Sequence, residues 1–275
     1  MTSSNQPLVS IIIPCFNCAS TVLESLQSVQ SQTFSNFQCI IVDDCSTDQT
    51  QALVMSFIEG DSRFRYLITQ SNQGVSSARN LALDNCSSQY IAFLDSDDLW
   101  HPEFLTLALD YMSTNSARFV YSPVLRFIDN AKRTGFVKVP PFRVSLSSLL
   151  TNNHIPLVTA VFDASLLSPS LRFTPQRPED YIFWIQLFTL NPSLEGFRFS
   201  NLPLGFYRVS PKQRSSNKII NIKRAYYVYR SVWHFGYVKS LFMTLVYVAN
   251  SLLDYIFQFS APRNFPSSVF LGPNS

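Results

Sequence analysis

At 275 residues, with 46% hydrophobic and 14% charged positions, the chain can bury a full core and falls outside the intrinsically disordered class. Its formal net charge of +3 conceals an asymmetry: residues 1–195 hold 11 Lys+Arg against 17 Asp+Glu, whereas residues 196–275 hold 10 against one. An acidic front suited to cations is followed by a basic tail suited to anions.

The polar start, Met1 to Gln6, precedes an apolar run only a strand long, so no signal peptide is expected. Leu8 to Ile13 is a β-branched run stopped by Pro14, which predicts a first strand. Thr21 and Glu24 have capping-box spacing ahead of a helix with apolar residues at 22, 26 and 29. Phe37 to Val42 predicts a second strand closed by Asp43-Asp44, and Ser46-Thr47-Asp48 can cap the next helix. Phe64 to Ile68 is a weaker third strand, and a helix from about Val75 to Asn85 carries Ala78-Arg79-Asn80. Strands recurring about every thirty residues with helices between them predict βαβ units and a mostly parallel sheet.

The five cysteines, Cys15, Cys18, Cys39, Cys45 and Cys86, are odd in number, and several lie in apolar runs. Buried reduced thiols in a cytosolic compartment fit them best. Cys15 and Cys18 have redox-motif spacing, but a thioredoxin-like context and a second pair for zinc are missing. Glycines are never closer than nine residues, which excludes both a Walker A loop and a G-x-G-x-x-G turn.

Tyr90 to Leu94 is a continuous apolar run of the kind a doubly buried parallel strand shows, and it breaks into Asp95-Ser96-Asp97-Asp98. Three carboxylates within four residues repel unless a positive charge sits among them. An oxygen-only donor set favours Mg2+ or Mn2+. The competing explanation is a solvated acidic turn capping a helix from Pro102 to Tyr111. In parallel sheets ligands bind beyond the carboxyl ends of strands. If the Pro14–Asn17, Asp43–Asp44 and Asp95–Asp98 ends line one crevice, it offers a ring, a carboxylate for a base edge and a metal site: a nucleoside-diphosphate pocket.

Four segments, VSIIIPCFNCASTVLESLQSVQSQTF, FQCIIVDDCSTDQT, SNQGVSSARNLAL and YIAFLDSDDLWHPEFL, resemble the family 2 glycosyltransferases of the GT-A fold, in the family's order from about Leu8 to Phe104. The resemblance implies a Rossmann-like, mostly parallel sheet flanked by helices. It also implies metal-dependent transfer from a nucleotide-sugar donor with inversion at the anomeric carbon. On the family's pattern Pro14 and Phe16 border the base, and Asp44, or else Asp43, accepts from it. Arg79 faces the nucleotide, Asp95 faces the ribose or the metal, Asp97 is the main metal ligand, and Asp98 is a second ligand or lies just behind.

Beyond this region, Phe119–Ser122, Val124–Ile128 and Leu157–Phe162 read as strands, and no pocket role is assigned to Asn152-Asn153-His154. Arg177 to Ile185 reads as a helix with Pro178 in its first turn and an apolar face at 182, 185 and 188 to 189. In the resembling family the acidic pair opening this helix contains the catalytic base, which places Asp180 in that role with Glu179 as the alternative. Their competing role is to complement the positive helix N-terminus. Leu204 to Arg208 resembles the family's Tyr-Arg strand. The following His of many members is replaced here by Val209-Ser210-Pro211, leaving Arg208, Lys212 and Arg214 as candidate diphosphate contacts.

The resemblance fades after Ser215, which divides a catalytic domain, 1–215, from a basic helical extension, 216–275. Between Gly196 and Leu253 there are nine basic residues and no acidic one. The basic residues Lys218, Lys223, Arg224, Arg230 and Lys239 are interleaved with apolar ones, which suits a membrane surface rather than nucleic acid. The longest uncharged stretch there, Ser240 to Leu253, is fourteen residues, short of the ~20 that span a bilayer. At 100° per residue, Ser240, Thr244, Tyr247, Ser251, Asp254 and Gln258 form one narrow polar stripe in a wide apolar surface. The expected partners are a nucleotide-sugar donor, a glycan or lipid-linked acceptor, and the cytoplasmic face of the plasma membrane. The catalytic domain or a second copy of the chain competes for the apolar face. Cell-surface polysaccharide or lipopolysaccharide synthesis is the expected setting, against an inactive nucleotide-binding scaffold of the same fold.

Overall fold

The computed structural model describes residues 6–127, 137–209 and 218–259. The first half alternates strand and helix: β1 (Val9–Cys15), α1 (Val22–Gln30), β2 (Phe37–Asp43), α2 (Thr50–Ile58), β3 (Phe64–Ile68), α3 (Val75–Asp84) and β4 (Tyr90–Phe93). There follow β5 (Leu99–Trp100), α4 (Phe104–Asn115), β6 (Phe119–Tyr121), β7 (Val124–Phe127), β8 (Val137–Lys138), β9 (Arg143–Val144) and β10 (Val161–Asp163). The chain continues through α5 (Glu179–Leu190), β11 (Gly196–Arg198), β12 (Gly205–Arg208), α6 (Lys218–Tyr227), a π-helical turn (Val228–Val232) and α7 (Tyr237–Phe259).

The main sheet runs β3-β2-β1-β4-β10-β6-β11-β9, and a smaller one runs β5-β12-β7-β8. β3, β2, β1 and β4 are parallel, while β10 is antiparallel to both its neighbours. Strand alternation divides the core. Val9, Ile11 and Ile13 pack with α1 and α4 on one face, and Ile12, Ile40, Val42 and Phe93 pack with α3 and α5 on the other. Cys15 lies opposite Asp43 and Ile12 opposite Phe93, so β1, β2 and β4 end at one sheet edge.

Three local expectations change. Thr21 makes no side-chain cap, and Glu24 reaches instead to the buried Arg208 guanidinium at 2.7 Å, a charge-assisted bond, while the Thr21 amide donates to the Cys18 carbonyl at 3.0 Å. Leu157 to Thr159 is a 3-10 turn before β10, rather than the start of a strand. There the backbone bends to present the Val158 carbonyl to the Trp100 indole at 2.6 Å, and Thr159 Oγ1 donates to the Ser122 carbonyl at 2.8 Å. Finally, α5 is buried on nearly every side rather than along one face. Tyr181, Phe183, Trp184 and Leu187 join Ile182, Ile185 and Phe188 in the core, between sheet residues such as Phe119 and Phe162 and the Val228 turn.

The C-terminal segment is docked on this body. Val228 and Tyr229 are fully buried, and Tyr229 donates to the Leu150 carbonyl at 2.8 Å. The expected boundary at Ser215 lies outside the described residues. On α7 the polar stripe faces inward: Ser240 and Thr244 are buried, while Leu241, Phe242 and Leu245 are 57%, 63% and 69% exposed. Thr244 donates to the Ser240 carbonyl one turn back, so its burial strands no donor. Among the described residues no helix is long and apolar enough to cross a membrane.

Candidate functional site

After β4 the chain leaves the main sheet through Asp95–Asp98 and enters the smaller one at β5, which pairs with β12. This change of sheet carries the acidic turn into the gap between them. The turn closes with the Asp98 amide donating to the Asp95 carbonyl at 3.0 Å. Asp98 is buried; its Oδ1 accepts the Arg208 backbone N–H at 2.9 Å, and its Oδ2 has no hydrogen-bond partner. Burial and the Asp97 and Asp95 charges raise the Asp98 pKa. Burial and Asp95 push Asp97 up to about 6.

Arg79, on α3, is only 3% exposed, and its Nη2 donates to Asp95 Oδ1 at 2.6 Å. Its Nη1 lies 3.7 Å from Glu179 Oε1, and the guanidinium sits over the Phe173 ring with its carbon 5.2 Å from the centroid. Burial opposes this charge, but Asp95, Glu179 and Asp180 outweigh burial and raise its pKa. A residue expected to face the nucleotide is therefore a bridge between the acidic turn and the start of α5.

The second acidic pair is held by aromatic packing. Phe183 stacks on Phe173 at 4.1 Å, and Trp184 meets Phe119 edge-on at 5.2 Å, which anchors α5 and fixes its N-terminus. Asp180 is half-buried and accepts from Asn153 Nδ2 at 2.9 Å. Burial, then the Glu179 charge, raises its pKa, against the lowering effects of the Tyr181 amide, Arg79 and Asn153. A carboxylate with raised proton affinity at a cavity wall suits proton abstraction. Asn153 is a site residue that the sequence reading left without a role; nothing in its local sequence marks the contact, 27 positions from Asp180.

A cavity of about 410 Å³ is lined by Asp95, Asp98, Glu179, Asp180 and Arg79. Its walls also carry Arg126, Lys138, Arg177 and Arg224, none of which the motifs single out. Arg224 was expected among membrane-facing cations, yet α6 turns it towards the cavity.

Pro14, Phe16, Asp43 and Asp44 stand at the same sheet edge but do not line this cavity. Phe16 is 47% exposed. Asp43 is fully buried and accepts from the Ser46 amide at 2.8 Å and the Tyr66 hydroxyl at 2.6 Å. Asp44 accepts from Thr69 Oγ1 at 3.0 Å and from the Gln73 and Gly74 amides at 2.9 and 2.6 Å. The Gln73 amide also reaches the second oxygen at 3.1 Å, so each Asp44 oxygen accepts twice, and the side chain is buried.

The Arg208 side chain turns away from the cavity, donating to the Asp97 carbonyl at 2.8 Å and to Glu24 at 2.7 Å over the Phe127 ring. These partners occupy the guanidinium expected to meet a diphosphate. Lys212 and Arg214 lie outside the described residues. Cys15, Cys18, Cys39, Cys45 and Cys86 are all free thiols.

Among the described residues no three His, Cys, Asp or Glu side chains converge as a ready-made metal cage. The Asp95–Asp98 turn nevertheless suits a hard divalent ion. It presents carboxylate oxygens only, one of them buried without a partner, and Mg2+ sites commonly use one or two carboxylates completed by substrate phosphates.

Comparisons with known proteins agree with this architecture. The solved structure of S. aureus TarS 1–349 in complex with UDP-GlcNAc superposes with a TM-score of 0.65 at 19% identity, over 87% of this chain and 71% of that one. A mannosyltransferase, PcManGT from Pyrobaculum calidifontis, in complex with GDP-Man and Mn2+, gives 0.64 at 16% identity, over 96% and 78% of the two chains. In sequence, the Escherichia coli UDP-Glc:alpha-D-GlcNAc-diphosphoundecaprenol beta-1,3-glucosyltransferase WfgD is 36% identical over 221 residues, 79% of this chain and 83% of that protein. The family description Glycosyl transferase family 2 matches residues 10–164. That match spans more than half of the chain, including β1 from Ser10 onward and the Asp95–Asp98 turn, and the chain therefore belongs to glycosyl transferase family 2.

Proposed function

We propose that the chain transfers a sugar from a nucleoside-diphosphate donor, a UDP-sugar first among them, to an acceptor hydroxyl with inversion at the anomeric carbon. The observation that carries this reading is a cavity lined by Asp95 and Asp98 of the turn and by Glu179 and Asp180 of α5, with Arg79 set between Asp95 and Glu179. An inverting displacement needs a base for the acceptor proton on the face opposite the departing diphosphate. Asp180 takes the acceptor proton: it opens to the cavity, and Asn153 orients one of its oxygens. Glu179 is the alternative base, held beside Arg79.

Asp97 and Asp95 would hold Mn2+ or Mg2+, with Asp98 as a second ligand or a group behind them. Once bound, such an ion stabilises the charge that builds on the leaving diphosphate. Use of a divalent ion is in keeping with the Mn2+ bound by PcManGT, which shares the fold. In this reading Phe16 borders the base beside Pro14, and Asp44 accepts from the base edge in exchange for one of its present loop donors.

The acceptor we assign is a lipid-linked saccharide, in line with the diphosphoundecaprenol acceptor named for WfgD, and the setting is cell-surface polysaccharide synthesis. We assign a peripheral attachment to the cytoplasmic leaflet through α6 and α7, a reading supported by the exposed Leu241, Phe242 and Leu245 and by the cations Lys223, Arg230 and Lys239 of the same C-terminal segment. A screen of UDP-, GDP- and TDP-sugars for Mn2+-dependent hydrolysis tests the enzyme reading. Hydrolysis of one donor class supports it; binding of nucleotide without turnover of any donor identifies a non-catalytic scaffold.

A further inference from the structure

Four cations from four separate parts of the chain converge on the cavity: Arg126 on β7, Lys138 on β8, Arg177 ahead of α5 and Arg224 on α6. Arg79, the fifth cation of this wall, is committed to Asp95 and Glu179. Arg126, Arg177 and Arg224 form no ion pair among the described residues. Arg126 lies over the Tyr207 ring at 5.8 Å, and Arg224 donates to Asn221 at 3.2 Å, contacts that supply no counter-charge to either. Lys138 reaches the carbonyl of Asn153, the residue that orients Asp180, at 3.4 Å.

Arginines gathered at a concave site fit a bidentate oxyanion. The donor diphosphate is one such anion, but in the proposed function its charge would be met by the divalent ion that Asp95 and Asp97 would hold. The basic group shares its cavity with Asp180, the group that must face the acceptor, and with Asp95 and Asp98 at the donor end, whereas Phe16 and Asp44 on the nucleotide side are not part of that wall. Arg224 belongs to α6, which packs on α7, the helix with the outward apolar face. A ligand with a sugar at Asp180, a dianionic bridge at the arginines and a hydrocarbon tail along α7 satisfies all three features.

We propose that Arg126, Arg177 and Arg224, with Lys138 beside them, bind the diphosphate of a glycosyl-diphosphate lipid acceptor at a site distinct from the donor diphosphate. The inference rests on the glycosyltransferase reading, and it names the acceptor group that these side chains recognise.

The test is metal-free binding to the full chain in EDTA, without donor. The probe is a decyl diphosphate carrying N-acetylglucosamine, compared with the uncharged decyl N-acetylglucosaminide, both below their critical micelle concentrations. The charged probe should bind at least tenfold more tightly than the neutral one. Each arginine lost should weaken it by roughly tenfold, the scale of one charge-assisted hydrogen bond. The variants R126Q, R177Q and R224Q, singly and combined, should keep their affinity for UDP with Mn2+, which also verifies that they fold. Equal affinity for the two probes, no binding of the charged probe by the native chain, undiminished binding by the triple variant, or displacement of the probe by UDP in EDTA would each overturn the proposal. Mn2+-dependent donor hydrolysis, measured separately, reports on the glycosyltransferase reading itself.

Discussion

The Arg79 guanidinium donates to Asp95 across 2.6 Å, and this bond ties α3 to the acidic turn at the end of β4. The same guanidinium faces Glu179, so the two acidic pairs of the cavity are held by one buried cation. Buried charges are tolerated when paired, and removing one partner leaves the other uncompensated.

Arg79→Gln should therefore lower stability by about 2–3 kcal/mol, below the full range for a buried pair because Asp95 keeps a third of its side-chain surface in water. Arg79→Lys should recover little of this, since an ammonium lacks the planar fork that reaches two carboxylates. Urea denaturation read by Trp fluorescence measures both. Native stability in either variant would show that the bridge holds nothing together.

Asp97→Ala should abolish Mn2+-dependent binding of the donor nucleotide while the fold persists. Removing one of three neighbouring carboxylates relieves like-charge repulsion in the metal-free protein, so its melting temperature should not fall. Calorimetry with UDP and Mn2+ decides the point; unchanged affinity removes Asp97 from the metal site.

Asp180→Asn should bind donor and metal normally yet lose roughly 10²–10⁴ in transfer rate, the range for a positioned base. Because burial and Glu179 raise the Asp180 pKa, the ionised base accumulates only at a pH above the ordinary carboxylate range. The acid limb of kcat/KM should sit correspondingly high. Asn153→Ala removes a bond that favours the ionised form and should move that limb higher still. Linkage fixes a second sign: a folded-state pKa above the unfolded value adds stability at low pH that is lost as pH rises through the folded pKa. Asp180→Asn should accordingly gain melting temperature relative to the native protein at neutral pH, and the difference should close in acid. A rate within a few-fold of native would move the base to Glu179.

Flotation with anionic liposomes tests the membrane attachment. The full chain should float at low salt and be released at high salt, because each cation near an anionic leaflet contributes about 1 kcal/mol and salt screens it. A Leu241→Lys, Phe242→Glu, Leu245→Lys variant should remain in the dense fractions at any salt. Equal flotation of the two proteins would place the contact elsewhere.

Legibility followed sequence distance. The strand ends at Cys15, Asp43 and Phe93 were readable because apolar runs and the polar residues that stop them are neighbours in the chain, and the parallel register brings them to one edge. The Asp95–Asp98 turn and the Glu179–Asp180 opening of α5 are likewise local patterns. The sequence does not show that Arg79 spans from Asp95 to Glu179, or that Glu24 abandons a capping box for Arg208, 184 positions away. Arg126, Lys138, Arg177 and Arg224 carry no spacing signal, because only the meeting of two sheets and two helices makes them neighbours. Helical periodicity located the Ser240–Thr244 stripe but not its direction, since an amphipathic pattern specifies two unlike faces and leaves open which one meets the protein.

The inverted packing of α7 reverses the usual map of mutational tolerance. On most helices a serine-to-leucine change at the polar face is harmless and a leucine-to-lysine change at the apolar face unfolds the protein. Here Ser240→Leu forces a branched side chain into a fully enclosed position and should cost about 1–3 kcal/mol through overpacking. Leu245→Lys places its charge in solvent and should leave the melting temperature within a degree or two. A selection for soluble, well-folded protein would therefore accumulate charges along Leu241, Phe242 and Leu245, whereas a selection for sugar transfer in intact cells would remove them.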